Sequence, residues 1–338
     1  MELLDLPPDS GGAYVSTGHL PPPENVRRFV DEAHARFMPL TQGQVSQVYP
    51  ALARAPADLF GICVVGSDGS VHAVGDAEHP FTIMSVSKPF VFALVCDLIG
   101  ATGARERLGA NATGYAFNST AGLERAPEGR TNPMVNAGAI ATTSLARGKT
   151  AEERWRFLHE GLSRFAGRDL AVNEEVYASA TETNFRNRSL VWMLESQGRI
   201  YCDPLEALDL YTRQCALEVT ARDLAVMGAT LADGGFNPIS REQVVSQEVC
   251  HYVLAVMITA GLYETSGDWL FEVGLPGKSG IGGGIVTVSP GKGGLGVFAP
   301  PLDEAGNSVR GQLATQYLSR RLGLDMLVSS PLKQDHRK

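Results

Sequence analysis

The chain has 338 residues, of which 44% are hydrophobic and 20% are charged, and its formal net charge is −8. This composition is typical of a globular protein with a sizeable core, and the length allows two domains or one large one. An acidic chain binds nucleic-acid phosphates poorly, and no apolar run reaches the roughly 18 residues of a membrane span. We therefore expect neither a nucleic-acid partner nor a membrane partner.

The cysteines and the N-terminal residues bear on the location of the protein in the cell. The five cysteines are odd in number, and most of them lie in apolar runs. Reduced core thiols are typical of the cytoplasm, and the N-terminus MELLDLPPDSGG lacks a basic and then apolar signal. We expect a cytoplasmic protein in which residues 1–23, rich in Pro and Gly, form a mobile leader and residues 326–338 form a C-terminal tail.

Strand-like segments occur towards both ends of the chain. After a helix predicted over residues 24–37, LFGICVVG and SVHAVGD read as a hairpin with Asp68-Gly69 at its tip. Strands return at residues 284–289 and 295–299, before an amphipathic helix predicted over residues 309–322. Strands at both ends of a chain predict a single antiparallel sheet.

The middle of the chain, residues 85–262, is predicted to be mostly helical. Residues 134–147 are alanine-rich, and apolar residues recur at helical spacing in residues 150–165. Further helices are predicted over residues 204–214 and 243–262 and after the capping box at Thr220. We therefore predict an α+β fold in which residues 24–84 and 263–325 form a discontinuous sheet domain. Residues 85–262 form an inserted helical lobe, and small-molecule sites usually lie in the cleft between such parts.

The stretch FTIMSVSKPFVFALVCDLIG contains Ser85 and Lys88 at the start of an apolar, helix-like run. Residues three apart share a helix face, and burial lowers the pKa of a lysine until its neutral amine can take the serine proton. Ser85 would also lie near the positive end of the helix dipole, which favours an oxyanion. Alone the motif is weak evidence, because roughly one Ser-x-x-Lys is expected by chance in such a chain. A serine cap with a surface lysine is the alternative.

A second motif, GLPGKSGIGGGI, begins at Gly274. Gly277-Lys278-Ser279 resembles the end of a phosphate-binding P-loop, but that loop needs a glycine at position 272, which is Glu272, and leads into a helix rather than a strand. We therefore reject the P-loop. A Lys-Ser-Gly strand of the kind that accompanies Ser-x-x-Lys in serine acyl enzymes fits better, and a plain glycine-rich turn into a strand remains the alternative.

Together these motifs resemble those of the serine-dependent glutaminases, relatives of the serine β-lactamases and penicillin-binding proteins. The matching stretches follow the family order from about residue 25 to 322 and are Ser85–Lys88, Asn132–Ile140, Phe185–Arg188, Leu210–Cys215, Ala232–Phe236, Gly261–Tyr263, Gly274–Ile285, Pro300–Asp303 and Gly306–Val309. The resemblance implies a β-lactamase-like fold and hydrolysis of L-glutamine to L-glutamate and ammonia through a Ser85 acyl-enzyme. It also implies no metal or organic cofactor, and a homodimer or homotetramer.

The resemblance further implies a role for seven residues. Ser85 is expected to be the nucleophile, Lys88 its general base, and Tyr263 the group that passes protons between nucleophile and leaving amine. The N–H groups of Ser85 and Ile281 would form the oxyanion hole. The α-amino-acid end of glutamine would be held by Asn136, Asn187 and Tyr211.

Three positions depart from the family pattern, and all three family residues contact substrate. Met84 replaces a glutamine, Ala180 a glutamate and Val48 a tyrosine. The glutamate is the natural counter-charge for the substrate ammonium, and a buried ammonium without a partner is destabilised by several kcal/mol. Glu182 or Tyr49 could replace the missing contacts.

These departures keep further functions open beside glutamine hydrolysis. The first is an amidase or acyl transferase whose amide substrate has an absent or masked α-amine. A β-lactamase-like or peptidase-like hydrolase and a catalytically silent binding relative are also consistent with the motifs. Turnover of nitrocefin would indicate the hydrolase, and failure of an electrophilic glutamine analogue to label Ser85 would indicate the silent relative.

Overall fold

The computed structural model describes residues 18–329, so the predicted leader up to residue 17 and the predicted tail beyond residue 329 lie outside it. Its helices are α1 Pro23–Phe37, α2 Ser87–Ile99, α3 Ala101–Leu108, α4 Thr120–Glu124, α5 Asn136–Ser144, α6 Ala151–Ala166, α7 Glu174–Thr183, α8 Phe185–Ser196, α9 Pro204–Cys215, α10 Ala221–Ala232, α11 Gln247–Ala260, α12 Ser266–Val273 and α13 Val309–Arg321. Its strands are β1 Gly61–Gly66, β2 Val71–Gly75, β3 Phe81–Thr82, β4 Glu218–Val219, β5 Phe236–Asn237, β6 Glu242–Gln243, β7 Gly277–Ser279, β8 Gly284–Ser289 and β9 Gly293–Phe298.

The main sheet has five strands in the order β2-β1-β9-β8-β7, and every neighbouring pair is antiparallel. The first two strands and the last three come from opposite ends of the chain. The predicted α+β fold with one antiparallel sheet flanked by helices is therefore confirmed. β1, β8 and β9 are buried along their whole length, which explains their nearly continuous apolar sequences.

Helices cover both faces of this sheet. Alternate residues of a strand point to opposite faces, so Ile62 and Val64 pack in a core with α1 and α13. Cys63 and Val65 belong to the larger core that includes α10 and the buried helix α2. The residues at the start of α2 therefore lie on the side of the sheet opposite to α1 and α13.

The contact between α10 and the sheet depends on glycines in β9. A Cβ atom built on Gly296 would lie 2.0 Å from the carbonyl oxygen of Ala221, the first residue of α10. Such a separation is impossible between non-bonded heavy atoms, so any side chain at Gly296 would push the helix away from the sheet.

We expect Gly296→Ala to lower the free energy of unfolding by at least about 2 kcal/mol, because overpacking at a rigid helix–sheet contact cannot relax. Chemical denaturation measures the change. Gly267→Ala, in α12, is the matched control, because a Cβ there meets nothing within 4 Å. It should leave stability unchanged or raise it by up to about 1 kcal/mol. Equal stability of the two variants would contradict this account of the packing.

Most predicted helices are present, and the capping box of Thr220 with Asp223 is formed. The helix predicted from residue 134 begins instead at Asn136, because the Asn132 side chain accepts from the Met134 N–H and forms a turn there. The helix predicted from residue 243 begins at Gln247, because Gln243 pairs with Phe236 in a short hairpin.

Two further observations concern the organisation of the described chain. The division into a sheet domain and a helical lobe stays a prediction, although α10 from the predicted lobe packs on the sheet. Within residues 18–329 no single helix has the length and apolarity to cross a membrane. One pair bent by 119°, residues 84–99 with α3, meets that test by length and composition.

Candidate active site

Ser85 lies in the 3₁₀ turn Met84–Val86, which leads directly into α2. The preceding residue, Met84, has a φ of 48°, in the left-handed region that a methionine rarely adopts. The hydroxyl of Ser87 donates to the Met84 carbonyl at 2.8 Å and helps to hold this conformation. A strained backbone conformation persists only where the surrounding structure holds it in place, and such conformations are concentrated at functional sites.

Lys88 is fully buried at the start of α2. Its Nζ donates to Asn136 Oδ1 at 2.7 Å and to the Met134 carbonyl at 3.3 Å. Burial lowers the pKa of Lys88 to about 7, although Cys215 opposes that change. An appreciable fraction of Lys88 is therefore neutral at physiological pH, as its apolar surroundings predict. Within residues 18–329, none of its hydrogen bonds reaches Ser85.

Tyr263 begins a second 3₁₀ turn, Tyr263–Thr265, and has a φ of 54°. The amide of Asn307 fixes this turn by donating to the Leu262 carbonyl at 3.4 Å and to Thr265 Oγ1 at 3.0 Å. Tyr263 and Met84 thus share an uncommon left-handed conformation. The segment that contains Asn307 therefore acts at the site as a support for the tyrosine.

The phenol of Tyr263 interacts with the Ser85 side chain, which lowers its pKa, but the larger effect of burial raises that pKa well above the ordinary value. Its ring is 4.5 Å from the ring of Phe117, between centroids, and 4.3 Å from Lys278 Nζ. Burial, and secondarily the nearby Lys88, lower the pKa of Lys278 well below its usual range. Ser85, Tyr263 and the two lysines therefore form one buried cluster.

Ile281 lies in the tight turn between β7 and β8. This turn approaches the nucleophile closely, since a Cβ on Gly280 would lie 3.0 Å from the Ile83 carbonyl. The backbone N–H groups of Ser85 and Ile281 have no hydrogen-bond acceptor among the described residues. Both residues line the same pocket. Two unpaired amides beside a serine hydroxyl are the arrangement that an oxyanion hole requires.

The pocket above Ser85 is lined by residues from several separate segments of the chain. The lining consists of Val48, Tyr49, Met84, Ser85, Phe117, Asn118, Asn136, Val176, Ala180, Thr183, Asn184, Arg186, Asn187, Tyr211, Thr212, Cys215, Ala216 and Ile281. Five of the predicted site residues are in this set, whereas Lys88 and Tyr263 lie outside it, buried beside Ser85 and Asn136. The fold therefore brings together residues that are far apart in the sequence.

Asn136 connects the lysine to the pocket wall. Its Oδ1 accepts from Lys88 Nζ and, at 3.3 Å, from the Tyr211 hydroxyl. Its Nδ2 donates to Asn187 Oδ1 at 3.0 Å. Asn187 Nδ2 donates to no acceptor among the described residues, so its N–H groups are available to a ligand.

The three positions that depart from the family pattern all line the pocket. Met84 and Ala180 are buried there, whereas Val48 is exposed at its edge. Of the two residues considered as replacements, Tyr49 lines the pocket but Glu182 does not, and Glu182 is exposed. Because Glu182 lies two residues further along α7, its side chain points away from the position of Ala180.

Cys215 is another pocket-lining side chain that could act as a nucleophile. Burial raises the pKa of its thiol to about 11, and the lysines and hydrogen bonds that favour the thiolate have a smaller effect. Because the thiolate is the reactive form, Cys215 is nearly unreactive at neutral pH. This difference favours Ser85 as the nucleophile.

Sequence reasoning missed three residues at the site. Phe117 packs on Tyr263 from a loop without periodicity, and Asn307 supports a turn that lies some 42 residues earlier in the sequence. Arg186 lies in a matched motif, but neither spacing nor composition distinguishes it from other exposed arginines. Only the three-dimensional arrangement places Phe117 and Arg186 at the pocket and Asn307 against the turn that contains Tyr263.

Comparison with known proteins identifies the class of this fold and site. The family model described as Glutaminase matches residues 43–327. The chain belongs to the glutaminase family, within the β-lactamase and penicillin-binding-protein superfamily.

Individual relatives and solved structures agree with this membership. The chain is 67% identical over 335 residues to "Glutaminase 2" of Yersinia pestis, covering 98% of each chain. It is 44% identical over 301 residues to "Glutaminase 1" of Escherichia coli O157:H7, covering 89% of this chain and 97% of the relative. A solved structure described as "Probable glutaminase ybaS" superposes with a TM-score of 0.90 at 42% identity, covering 91% of this chain and 100% of that one.

Proposed function

We propose that the protein is a serine amidohydrolase that converts L-glutamine to L-glutamate and ammonia through an acyl-enzyme on Ser85. One observation carries the proposal: two unpaired backbone N–H groups, of Ser85 and Ile281, flank a hydroxyl beside a buried lysine whose pKa is about 7. Family membership supports the carboxamide as the reacting group.

Acylation begins when Ser85 Oγ attacks the carboxamide carbon and its proton passes to the neutral amine of Lys88. Base and nucleophile need to come within hydrogen-bonding distance only in the substrate complex. The carbonyl oxygen becomes an oxyanion that the N–H groups of Ser85 and Ile281 stabilise. The C–N bond then breaks as the proton returns, through Tyr263, to the nitrogen, and ammonia leaves.

Deacylation reverses the proton flow with water in place of ammonia. The water gives one proton to the Lys88–Tyr263 pair, and its oxygen attacks the ester carbon. The second tetrahedral oxyanion collapses, the C–O bond to Ser85 breaks, and Ser85 Oγ takes the proton back. One amide and one water thus give one acid and one ammonia.

The remaining site residues bind the substrate or position the lysine. Asn187 and Tyr211 contact the substrate end distant from the carboxamide. Asn136 positions Lys88 relative to these two residues, because its amide is hydrogen-bonded to all three side chains. The chain itself handles every proton, so the proposal requires no metal or organic cofactor. By family resemblance we also propose a homodimer or homotetramer, which light scattering tests. From the cysteines, the net charge and the apolar runs of the sequence we propose a cytoplasmic protein without nucleic-acid or membrane partners, which cell fractionation tests.

Ammonia release from glutamine by the purified protein tests the proposed function. Activity against glutamine with none against nitrocefin is the expected result. Turnover of nitrocefin instead would support the β-lactamase-like alternative.

Tyr263→Phe should lower kcat roughly a hundredfold, because a proton shuttle contributes that order of rate and water replaces it only in part. Its effect should be smaller than that of removing Ser85. Tyr252→Phe on α11, outside the pocket lining, is the matched control and should keep full activity. Unchanged kcat in Tyr263→Phe would exclude the phenol from proton transfer.

A further inference from the structure

The described pocket lining carries a positive side-chain charge and no negative one. Arg186 lines the pocket and is exposed, and it has no hydrogen-bond or ion-pair partner within residues 18–329. No aspartate or glutamate is among the described lining residues. The described lining therefore offers a substrate one free cation and no anion.

Three glutamates of the neighbouring elements do not supply the missing charge. Glu264 lies close to the buried cluster, but its Oε1 accepts from the Phe117 N–H at 2.9 Å and it does not line the pocket. Glu182 is exposed on α7 and outside the lining, and Glu175 pairs with Arg54.

The excess of positive charge determines which substrate groups the pocket wall between Ala180 and Arg186 can bind. Val176 and Ala180 from α7 are apolar, and the neutral polar groups of the wall belong to Thr183, Asn184 and Asn187. Such a wall can bind a carboxylate through Arg186 and an uncharged amide or alkyl group through contact and hydrogen bonds. An ammonium there loses water without meeting an opposite charge, which is strongly unfavourable.

Resting on the proposed amide hydrolysis, we propose that the preferred substrate is a glutamine-type carboxamide that keeps its distal carboxylate and has no charged α-nitrogen, as in an N-acylated glutamine or a 4-carbamoylbutanoate. Hydrolysis takes the same course: N-acylglutamine and water give N-acylglutamate and ammonia. Free glutamine is then a poorer substrate of the same site.

Four amides test this specificity in an ammonia-release assay on the unmodified protein: L-glutamine, N-acetyl-L-glutamine, glutaramic acid and 4-aminobutanamide. N-acetyl-L-glutamine and glutaramic acid should have kcat/KM values at least about tenfold above that of glutamine, because a buried charge without a partner weakens binding by that much or more. 4-Aminobutanamide, with an ammonium and no carboxylate, should be the poorest.

The pH dependence gives an independent readout. Above about pH 8 the α-ammonium of glutamine begins to lose its proton, so its kcat/KM should rise relative to that of N-acetyl-L-glutamine. Titration of Lys88 and Lys278 affects both substrates equally and cancels in the ratio. A ratio independent of pH would contradict the inference.

Substitutions at the wall separate charge from size. Ala180→Glu should raise kcat/KM for glutamine and lower it for N-acetyl-L-glutamine, whereas Ala180→Gln, which adds a side chain of the same size without the charge, should not favour glutamine. Arg186→Gln should reduce the activity on glutaramic acid by about tenfold or more, and it should raise rather than reduce the activity on 4-aminobutanamide, because it removes a like charge that faces the ammonium. If the unmodified protein processes glutamine as well as or better than the other amides, this inference is wrong and the proposed function stands. If it hydrolyses none of the four, both are wrong.

Discussion

Ser85→Ala should lower amide hydrolysis by roughly 10⁴-fold or more, because no other described group of the pocket can form the acyl intermediate at neutral pH. Ser85 contributes a small hydroxyl to a buried turn, so the variant should fold and bind substrate. Cys215 cannot substitute at neutral pH, since burial keeps its thiol protonated with a pKa of about 11. Initial rates of ammonia release measure the loss.

The control for this variant is Ser196→Ala, at the exposed end of α8, which should keep full activity. Retention of more than about one hundredth of the wild-type rate by Ser85→Ala would place the nucleophile elsewhere. A Cys215→Ala variant would then show whether the thiol is responsible.

Lys88→Met should lower kcat/KM by roughly 10²–10⁴-fold, the range that general-base catalysis supplies. Methionine fills the volume of the lysine stem and removes a buried amine, so folding should not suffer. In the wild-type protein Lys88 accepts a proton only when neutral, and its pKa is about 7. Activity should therefore fall as the pH decreases through about 7 and reach a plateau above it.

The pH profile of two variants identifies the group responsible. Lys88→Met should lose the limb near pH 7, whereas Lys278→Met should keep it, although both lysines are buried and have lowered pKa values. A profile that loses the limb in Lys278→Met and keeps it in Lys88→Met would assign the base to Lys278 instead.

The fold was largely predictable because its signals are local. The hairpin at Asp68-Gly69 and the capping box at Thr220 are short patterns with one good structural solution, and both formed. The helix after Asn132 starts later than predicted because an asparagine side chain competes with helical hydrogen bonds, which composition does not reveal. Pairing of Gln243 with Phe236 in a short hairpin likewise outweighed helix propensity.

The site was predictable only in part. The apolar run after Ser85 predicts the burial that lowers the pKa of Lys88. The partner of that lysine, Asn136, lies 48 residues away, and no periodicity within one element connects them. The unpaired cation Arg186 and the absence of a carboxylate from the described lining are properties of the assembled pocket. Spacing along the chain therefore identifies reacting groups better than it identifies the charges around the substrate.

Covalent labelling tests the central claim, an activated Ser85, most directly. A glutamine analogue with a diazoketone in place of the carboxamide, in its free and its N-acetylated form, would react with the nucleophile and remain attached. Mass spectrometry of the intact protein and of its peptides should show one adduct per chain, on Ser85, and none in Ser85→Ala. An adduct on Cys215 or another side chain, with Ser85 unmodified, would contradict the account, as would an unlabelled protein that hydrolyses nothing.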